Sequence, residues 1–186
     1  MNNRKLRMGM VGGGQGSFIG GIHRMAAIMD GQAELVCGCF SSHKQINKAT
    51  GEALYLDENR VYNSYAEMFA AEARLTEEAR MDFVAIVTPN HVHFEPAMMA
   101  LDYGFHVVLD KPLTFSLEEA KQLRSRLHET GLLLALTHTY SGYPAIKEAR
   151  NLVSKGVLGK IRRVNVEYPQ GWLSDSEEKK RNVQAA

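Results

Sequence analysis

Six small or polar residues, Gly12-Gly13-Gly14-Gln15-Gly16-Ser17, stand between an apolar run at 7–11 and a helix-like stretch at 18–29. Gly12, Gly14 and Ser17 satisfy the pattern G-x-G-x-x-G/A, with a small residue in the third glycine's place. The first glycine of such a pattern makes a tight turn, and the second lets the backbone approach a pyrophosphate. The third allows the helix to pack closely on the strand. Free amides at the helix start, in the field of its dipole, then favour phosphate. This reading makes Gly12, Gly14, Gln15, Gly16, Ser17, Phe18 and Ile19 a dinucleotide cradle. The competing reading is a glycine-rich structural turn. A P-loop is a poor fit, because no Lys-Ser/Thr pair follows the glycines.

An acidic residue at the end of the second strand would bind the adenosine ribose of NAD. Glu34 has the nominal spacing but precedes the apolar run at 35–40, which puts it at the wrong edge of the sheet. The far end of that run carries Ser41-Ser42-His43-Lys44. No carboxylate there repels a 2′-phosphate, and Ser41, Ser42 and Lys44 could bind one. NADP is therefore favoured over NAD, although Ser42 could equally be the cap of the next helix.

The elements that must position these groups are legible as alternating blocks. Short apolar runs at 7–11, 35–40, 83–87, 106–109 and 132–137 lack period-2 alternation, as expected of strands buried on both faces of a parallel sheet. Between them, Ser64-Tyr65-Ala66-Glu67 and Ser116-Leu117-Glu118-Glu119 read as capping boxes, and Gly104 and Gly131 as helix stops. Alternation of this kind predicts a Rossmann-type, doubly wound α/β fold over residues 1–140. A helix at 144–155 and a half-buried strand at 160–168, with Val164, Val166 and Tyr168 on one face, read as the opening of a truncated C-terminal α/β domain over 141–186.

Composition narrows the function classes. Of 186 residues 45% are apolar and 23% charged, enough for a real core, and the net charge is +1, without the basic excess of a nucleic-acid or acidic-membrane binder. Cys37 and Cys39 read as reduced core thiols, since two residues along a strand they lie too far apart for an easy disulfide. No metal-ligand spacing surrounds them. The N-terminus lacks the hydrophobic segment of a signal peptide, and no run of 18 apolar residues occurs, so the chain reads as cytoplasmic.

Three polar segments fall at the ends of the later apolar runs: Thr88-Pro89-Asn90-His91-Val92-His93, Asp110-Lys111-Pro112 and Thr137-His138-Thr139-Tyr140. With the glycine loop and Lys155-Gly156-Val157-Leu158-Gly159-Lys160-Ile161, they resemble the Gfo/Idh/MocA family of glucose–fructose oxidoreductase and inositol dehydrogenase relatives. The similarity runs from about Arg7 to Trp172; Asp110 departs from the family's usual Glu-Lys-Pro, keeping the carboxylate on a shorter arm. The resemblance implies an N-terminal NAD(P)-binding domain, a C-terminal sheet domain and oxidation or reduction of a secondary alcohol or ketone on a sugar or cyclitol. It also implies a homo-oligomeric full-length protein. Carried over, Lys111 is the lysine near the nicotinamide and the reacting hydroxyl, Asp110 orients the cofactor region, and Pro112 follows a cis bond. Thr88, Pro89, Asn90 and His93 line the cofactor cleft. The family's usual proton-transfer Asp and His belong to the C-terminal domain, and nothing in this chain matches them.

The chemistry is consistent with the residue types. Hydride transfer belongs to the cofactor, and a strand-end lysine can hydrogen-bond the substrate oxygen as alkoxide develops. The leading reading is the cofactor domain of an NAD(P)-dependent oxidoreductase, unable to turn over by itself. The alternative is a non-catalytic NAD(P)-binding sensor or subunit module. His23, His43, His106, His128 and His138 read as structural or solvated, and Tyr140 and Trp172 as packing residues at least as readily as cleft residues.

Overall fold

The computed structural model describes residues 4–169 and 171. Five strands alternate with helices: β1 (Leu6–Gly12), α1 (Phe18–Ile28), β2 (Ala33–Cys39), α2 (Lys44–Ala53), α3 (Tyr65–Glu72), β3 (Phe83–Val87), α4 (Phe94–Asp102), β4 (His106–Leu109), α5 (Leu117–Thr130), β5 (Leu134–Leu136) and α6 (Pro144–Ser154). All pairings are parallel, in the order β2-β1-β3-β4-β5. This is a Rossmann-type sheet. The chain leaves β1 toward β2 on one side and takes up β3 on the other, so the sheet has its switch point between β1 and β3, where ligands of such sheets bind.

Each face has its own core, which is why these strands read as unbroken apolar runs. Val11, Val84, Ile86, Val107 and Leu109 pack with Met68 and Phe69 of α3, Ala97, Ala100 and Leu101 of α4, and Leu123 of α5. Met8, Met10, Ala85 and Val87 face the other way, against Ile19 and Ala27 of α1 and Leu54 after α2. Helix ends follow the sequence signals. Ser116 and Glu119 form a complete capping box, and Gly131 closes α5 at φ 68°. At α3 the box is half-made. Ser64 accepts from the Glu67 amide, but the Glu67 carboxylate reaches one residue further back, to the Asn63 amide.

One buried acid lies beneath β2. Glu72 is fully buried and satisfied by a bidentate Arg60 at 3.0 and 2.6 Å, the Tyr62 hydroxyl at 3.0 Å and the Met81 amide at 3.0 Å. Removing Arg60 from such a pair costs about 3–5 kcal/mol, since the buried Glu72 carboxylate has no water to turn to. Cys37 and Cys39 are free and buried. Burial is the main cause that pushes the Cys39 thiol up to about 11 and holds Cys37 well above the usual thiol range, so neither offers a thiolate at neutral pH.

Two expectations need correction. The last strand is only Leu134–Leu136 rather than 132–137. Residues 161–169 form no strand, and Val164, Val166 and Tyr168 are 73%, 83% and 62% exposed. Alternation becomes a strand only where a neighbour supplies the other half of the hydrogen-bond ladder and a layer covers the apolar face. Among the described residues no strand pairs with this segment. Trp172 lies outside them.

The chain separates into two compact units, one through Thr137 and one from His138. In the second, a 3₁₀ turn at Thr139–Gly142 leads into α6, and Tyr140 packs edge-on against Tyr143 and Tyr168, with its hydroxyl bonded to that of Tyr168. Among the described residues no helix is long and apolar enough to cross a membrane, and no cluster of three or more His, Cys, Asp or Glu could hold a metal ion.

Candidate dinucleotide site

The first unit gathers the polar segments at the carboxyl ends of its strands. Gly12 ends β1 in register with Val87 of β3, and φ 84° puts it where side chains are strained. A Cβ there would meet the Val87 carbonyl and the Thr88 amide at 3.0–3.1 Å. The glycine loop and the Thr88 loop are thus neighbours across the switch point. Beyond them the loop leans on the end of β2. The Gly14 amide donates to the Phe40 carbonyl at 3.1 Å, and the Gln15 amide to the Thr50 hydroxyl at 3.0 Å. The Ser17 amide turns back to the Gly14 carbonyl. Three amides of the expected cradle therefore serve the protein itself. Those of Phe18 and Ile19, in the first turn of α1, have no intrahelical acceptor by helix geometry. Gly16, at φ 84° with nothing within 4 Å of a Cβ, leaves the loop's outer edge open. The loop fits a diphosphate.

The third-glycine role is not Ser17's. Ser17 is an exposed N-cap whose side chain makes no cap hydrogen bond. The close approach of the helix occurs at Gly20, where a Cβ would lie 2.4 Å from the Cα and 2.6 Å from the carbonyl oxygen of Gly13, the residue just after β1. The pattern is Gly12-x-Gly14 followed by Gly20, with Gln15-Gly16-Ser17 as three extra residues that lengthen the loop. The signal was present in the sequence, because two glycines inside a helix each cost about 1 kcal/mol against alanine and call for a reason. Arg24 braces the same spot, donating to the Gly13 carbonyl at 2.8 Å.

At the end of β2, Ser42 and Lys44 are exposed, and the Ser41 hydroxyl accepts from the His43 amide at 3.1 Å. Ser42 is not the cap of α2; His43 holds that position, without a side-chain bond. Glu34 is exposed at the opposite end of β2, level with Arg7. A cavity of about 470 Å³ flanks α2, bordered by Lys44, Lys48, Asn59 and Asn63, and takes in none of the glycine loop.

The β4 end brings in the lysine. Asp110 accepts from the Thr137 hydroxyl at 2.9 Å and lies 3.5 Å from Nε2 of His23 on α1. Lys111 is exposed and forms no ion pair or hydrogen bond among the described residues, so Asp110 does not neutralise it by direct contact. The Lys111–Pro112 bond is cis. Pro89 is exposed, and Thr88 and Asn90 are half-buried. His93 is fully buried, with Nδ1 2.7 Å from the Pro112 carbonyl and Nε2 2.9 Å from the Thr88 carbonyl. It stands behind the cleft wall, with neither nitrogen free for a ligand. His93, expected to line the cofactor cleft, is instead bonded within the protein, and His23, read as structural or solvated, is the neighbour of Asp110 that sequence reasoning missed, since each meets its distant partner only through the fold. His138 is exposed and falls in the second unit.

Comparisons with known proteins agree with this fold. Residues 6–138 match the model of the family described as an oxidoreductase family with an NAD-binding Rossmann fold. The chain is 34% identical over 179 residues to an uncharacterized oxidoreductase, YfiI, of Bacillus subtilis, covering 96% of this chain and 45% of that protein. It is 26% identical over 172 residues to levoglucosan dehydrogenase of Pseudarthrobacter phenanthrenivorans, covering 92% and 43%. Among solved structures, an inositol dehydrogenase homolog from Azotobacter vinelandii, complexed with NAD+, superposes with a TM-score of 0.82 at 39% identity, over 86% of this chain and 41% of that one. The chain thus spans less than half the length of these relatives. With the sheet order, the glycine loop at the switch point and a family match over most of its length, the chain belongs to the Gfo/Idh/MocA oxidoreductase family.

Proposed function

We propose that this chain is the cofactor-binding part of an NAD(P)-dependent oxidoreductase acting on a secondary alcohol or ketone of a sugar, cyclitol or related compound. The observation that carries the reading is convergence. Gly12 abuts Thr88, His93 joins Thr88 to Pro112, and Asp110 meets His23 of α1, so the open glycine loop and Lys111 belong to one connected rim. The names of the levoglucosan and inositol dehydrogenase relatives support the substrate class.

When bound, the nicotinamide cofactor supplies the hydride acceptor or donor. In the chain itself, the first-turn amides of Phe18 and Ile19 hold the diphosphate at the start of α1. Lys111 Nζ, without a partner among the described residues, donates to the substrate oxygen and stabilises negative charge as it develops there. Asp110, engaged by Thr137 and His23, fixes the strand end from which Lys111 projects. Residues 141–186 belong to a second, substrate domain, and the complete protein works as a cytoplasmic homo-oligomer.

The chain prefers NADP to NAD. Between Phe40 and Gln45 there is no carboxylate to repel a 2′-phosphate, and Ser41, Ser42 and Lys44 can donate to one. Titration of the full-length protein with each reduced cofactor, followed by nicotinamide fluorescence, should give tighter binding of NADPH, by about fivefold to tenfold for one charge-assisted contact. Equal or reversed affinities would remove Ser41, Ser42 and Lys44 from the site.

A further inference from the structure

We infer that His93 is a positioning residue, a buried clamp that fixes Lys111 relative to the dinucleotide loop by bonding the backbone on both sides of the cleft floor. The inference rests on the reading of Lys111 given above. Three observations carry it. His93 is completely buried, so it reaches neither cofactor nor substrate. It is the residue at which α4 begins, but with helical backbone angles (φ −74°, ψ −41°) and no side-chain cap bond, so it does not serve as a helix cap. Its two ring nitrogens meet carbonyl oxygens of two different loops, Pro112 at 2.7 Å and Thr88 at 2.9 Å.

The Pro112 contact matters most. Proline has no amide hydrogen, so its carbonyl is the one backbone group by which this residue can be held. That carbonyl belongs to the residue directly after Lys111, and its partner lies 19 residues away, on the segment that follows β3. The Thr88 contact closes the other end, five residues from His93 and beside the glycine loop. A neutral imidazole donates through one nitrogen only, whereas a proton on each nitrogen makes hydrogen bonds of both contacts. The clamp as inferred needs a proton on each nitrogen, since a neutral ring bonds one carbonyl and turns a lone pair toward the other.

Three replacements in the full-length protein separate the two ends. The amide nitrogen of asparagine sits near the place of Nδ1, and that of glutamine near Nε2. His93→Asn therefore keeps the bond to Pro112, His93→Gln keeps the bond to Thr88, and His93→Phe fills the space and keeps neither. Read per mole of folded protein, kcat should fall about tenfold in His93→Gln and His93→Phe and stay within about threefold of wild type in His93→Asn. Dinucleotide Kd should stay within about threefold in His93→Gln, since the cofactor-side bond survives. A role in folding alone would lower the melting temperature of all three with kcat per folded molecule unchanged, and that result overturns the inference. So does an equal loss of kcat in His93→Asn and His93→Gln. Lys111→Ala measured alongside distinguishes the two levels: a loss there with none in the His93 variants sinks the clamp alone, whereas no loss there removes the lysine reading and the clamp with it.

Discussion

Gly20→Ala destabilises the protein and weakens dinucleotide binding, although the same change inside a helix ordinarily stabilises by about 0.5–1 kcal/mol. The added methyl carbon would lie 2.4 Å from the Gly13 Cα and 2.6 Å from the Gly13 oxygen. These are backbone atoms, so no rotamer change relieves the overlap; the glycine loop or α1 has to move. Overpacking of this kind costs about 1–3 kcal/mol. Because the displaced atoms belong to the loop itself, we expect dinucleotide affinity to fall at least about tenfold as well, equivalent to about 1.4 kcal/mol. The neighbouring glycine provides the control. A methyl carbon added at Gly21 would have nothing within 4 Å, and Gly21→Ala should raise stability by about 0.5–1 kcal/mol without touching affinity. Thermal or urea unfolding of the two variants, with a cofactor titration of each, checks both signs. A Gly20→Ala protein as stable as wild type, binding normally, would show that the close contact of α1 with Gly13 does not shape the loop.

Lys111→Ala in the full-length enzyme lowers kcat by at least about tenfold while leaving cofactor affinity unchanged. The expectation follows from the lysine's surroundings: it is exposed at the end of β4, forms no hydrogen bond or ion pair among the described residues, and adjoins an aspartate that is already engaged by Thr137 and His23. Losing it therefore removes little from the folded protein and leaves no buried partner stranded. On the proposed reading, what it removes is a donor for the reacting oxygen, whose value is greatest as charge develops there. Steady-state kinetics with the cofactor Kd measured separately gives the answer. An unchanged kcat would assign the site to a cofactor-holding module without a catalytic lysine.

The fold was largely readable because its signals are local. Strands buried on both faces must be apolar at consecutive positions, helix ends need caps, and the alternation of the two determines a parallel sheet. The site was readable in outline for the same reason, since strand ends of such a sheet fall on one side. What escaped was set by contacts between distant residues. Ser17 met the spacing of the fingerprint, but spacing does not show which small residue lets the helix approach the chain just after β1, and Gly20 does so across a longer loop. His93 and Pro112 are 19 residues apart, and His23 and Asp110 belong to different crossover units, so neither pairing leaves a periodic trace. The segment at 160–168 erred the other way: alternation of Val164, Val166 and Tyr168 is a necessary mark of a half-buried strand, and the partner that would make it one is not among the described residues.

The melting temperature of the full-length protein with NADP, with NAD and with no nucleotide tests the central claim most directly. A nucleotide that binds only the native state at about 100 times its Kd adds about 2.7 kcal/mol of stability, which moves an unfolding midpoint upward by several degrees. We predict that rise for both nucleotides, larger for NADP, and a smaller rise in Gly20→Ala relative to that variant's own midpoint without nucleotide. A midpoint that neither nucleotide moves would contradict the assignment of Gly12–Ile19 as a diphosphate cradle.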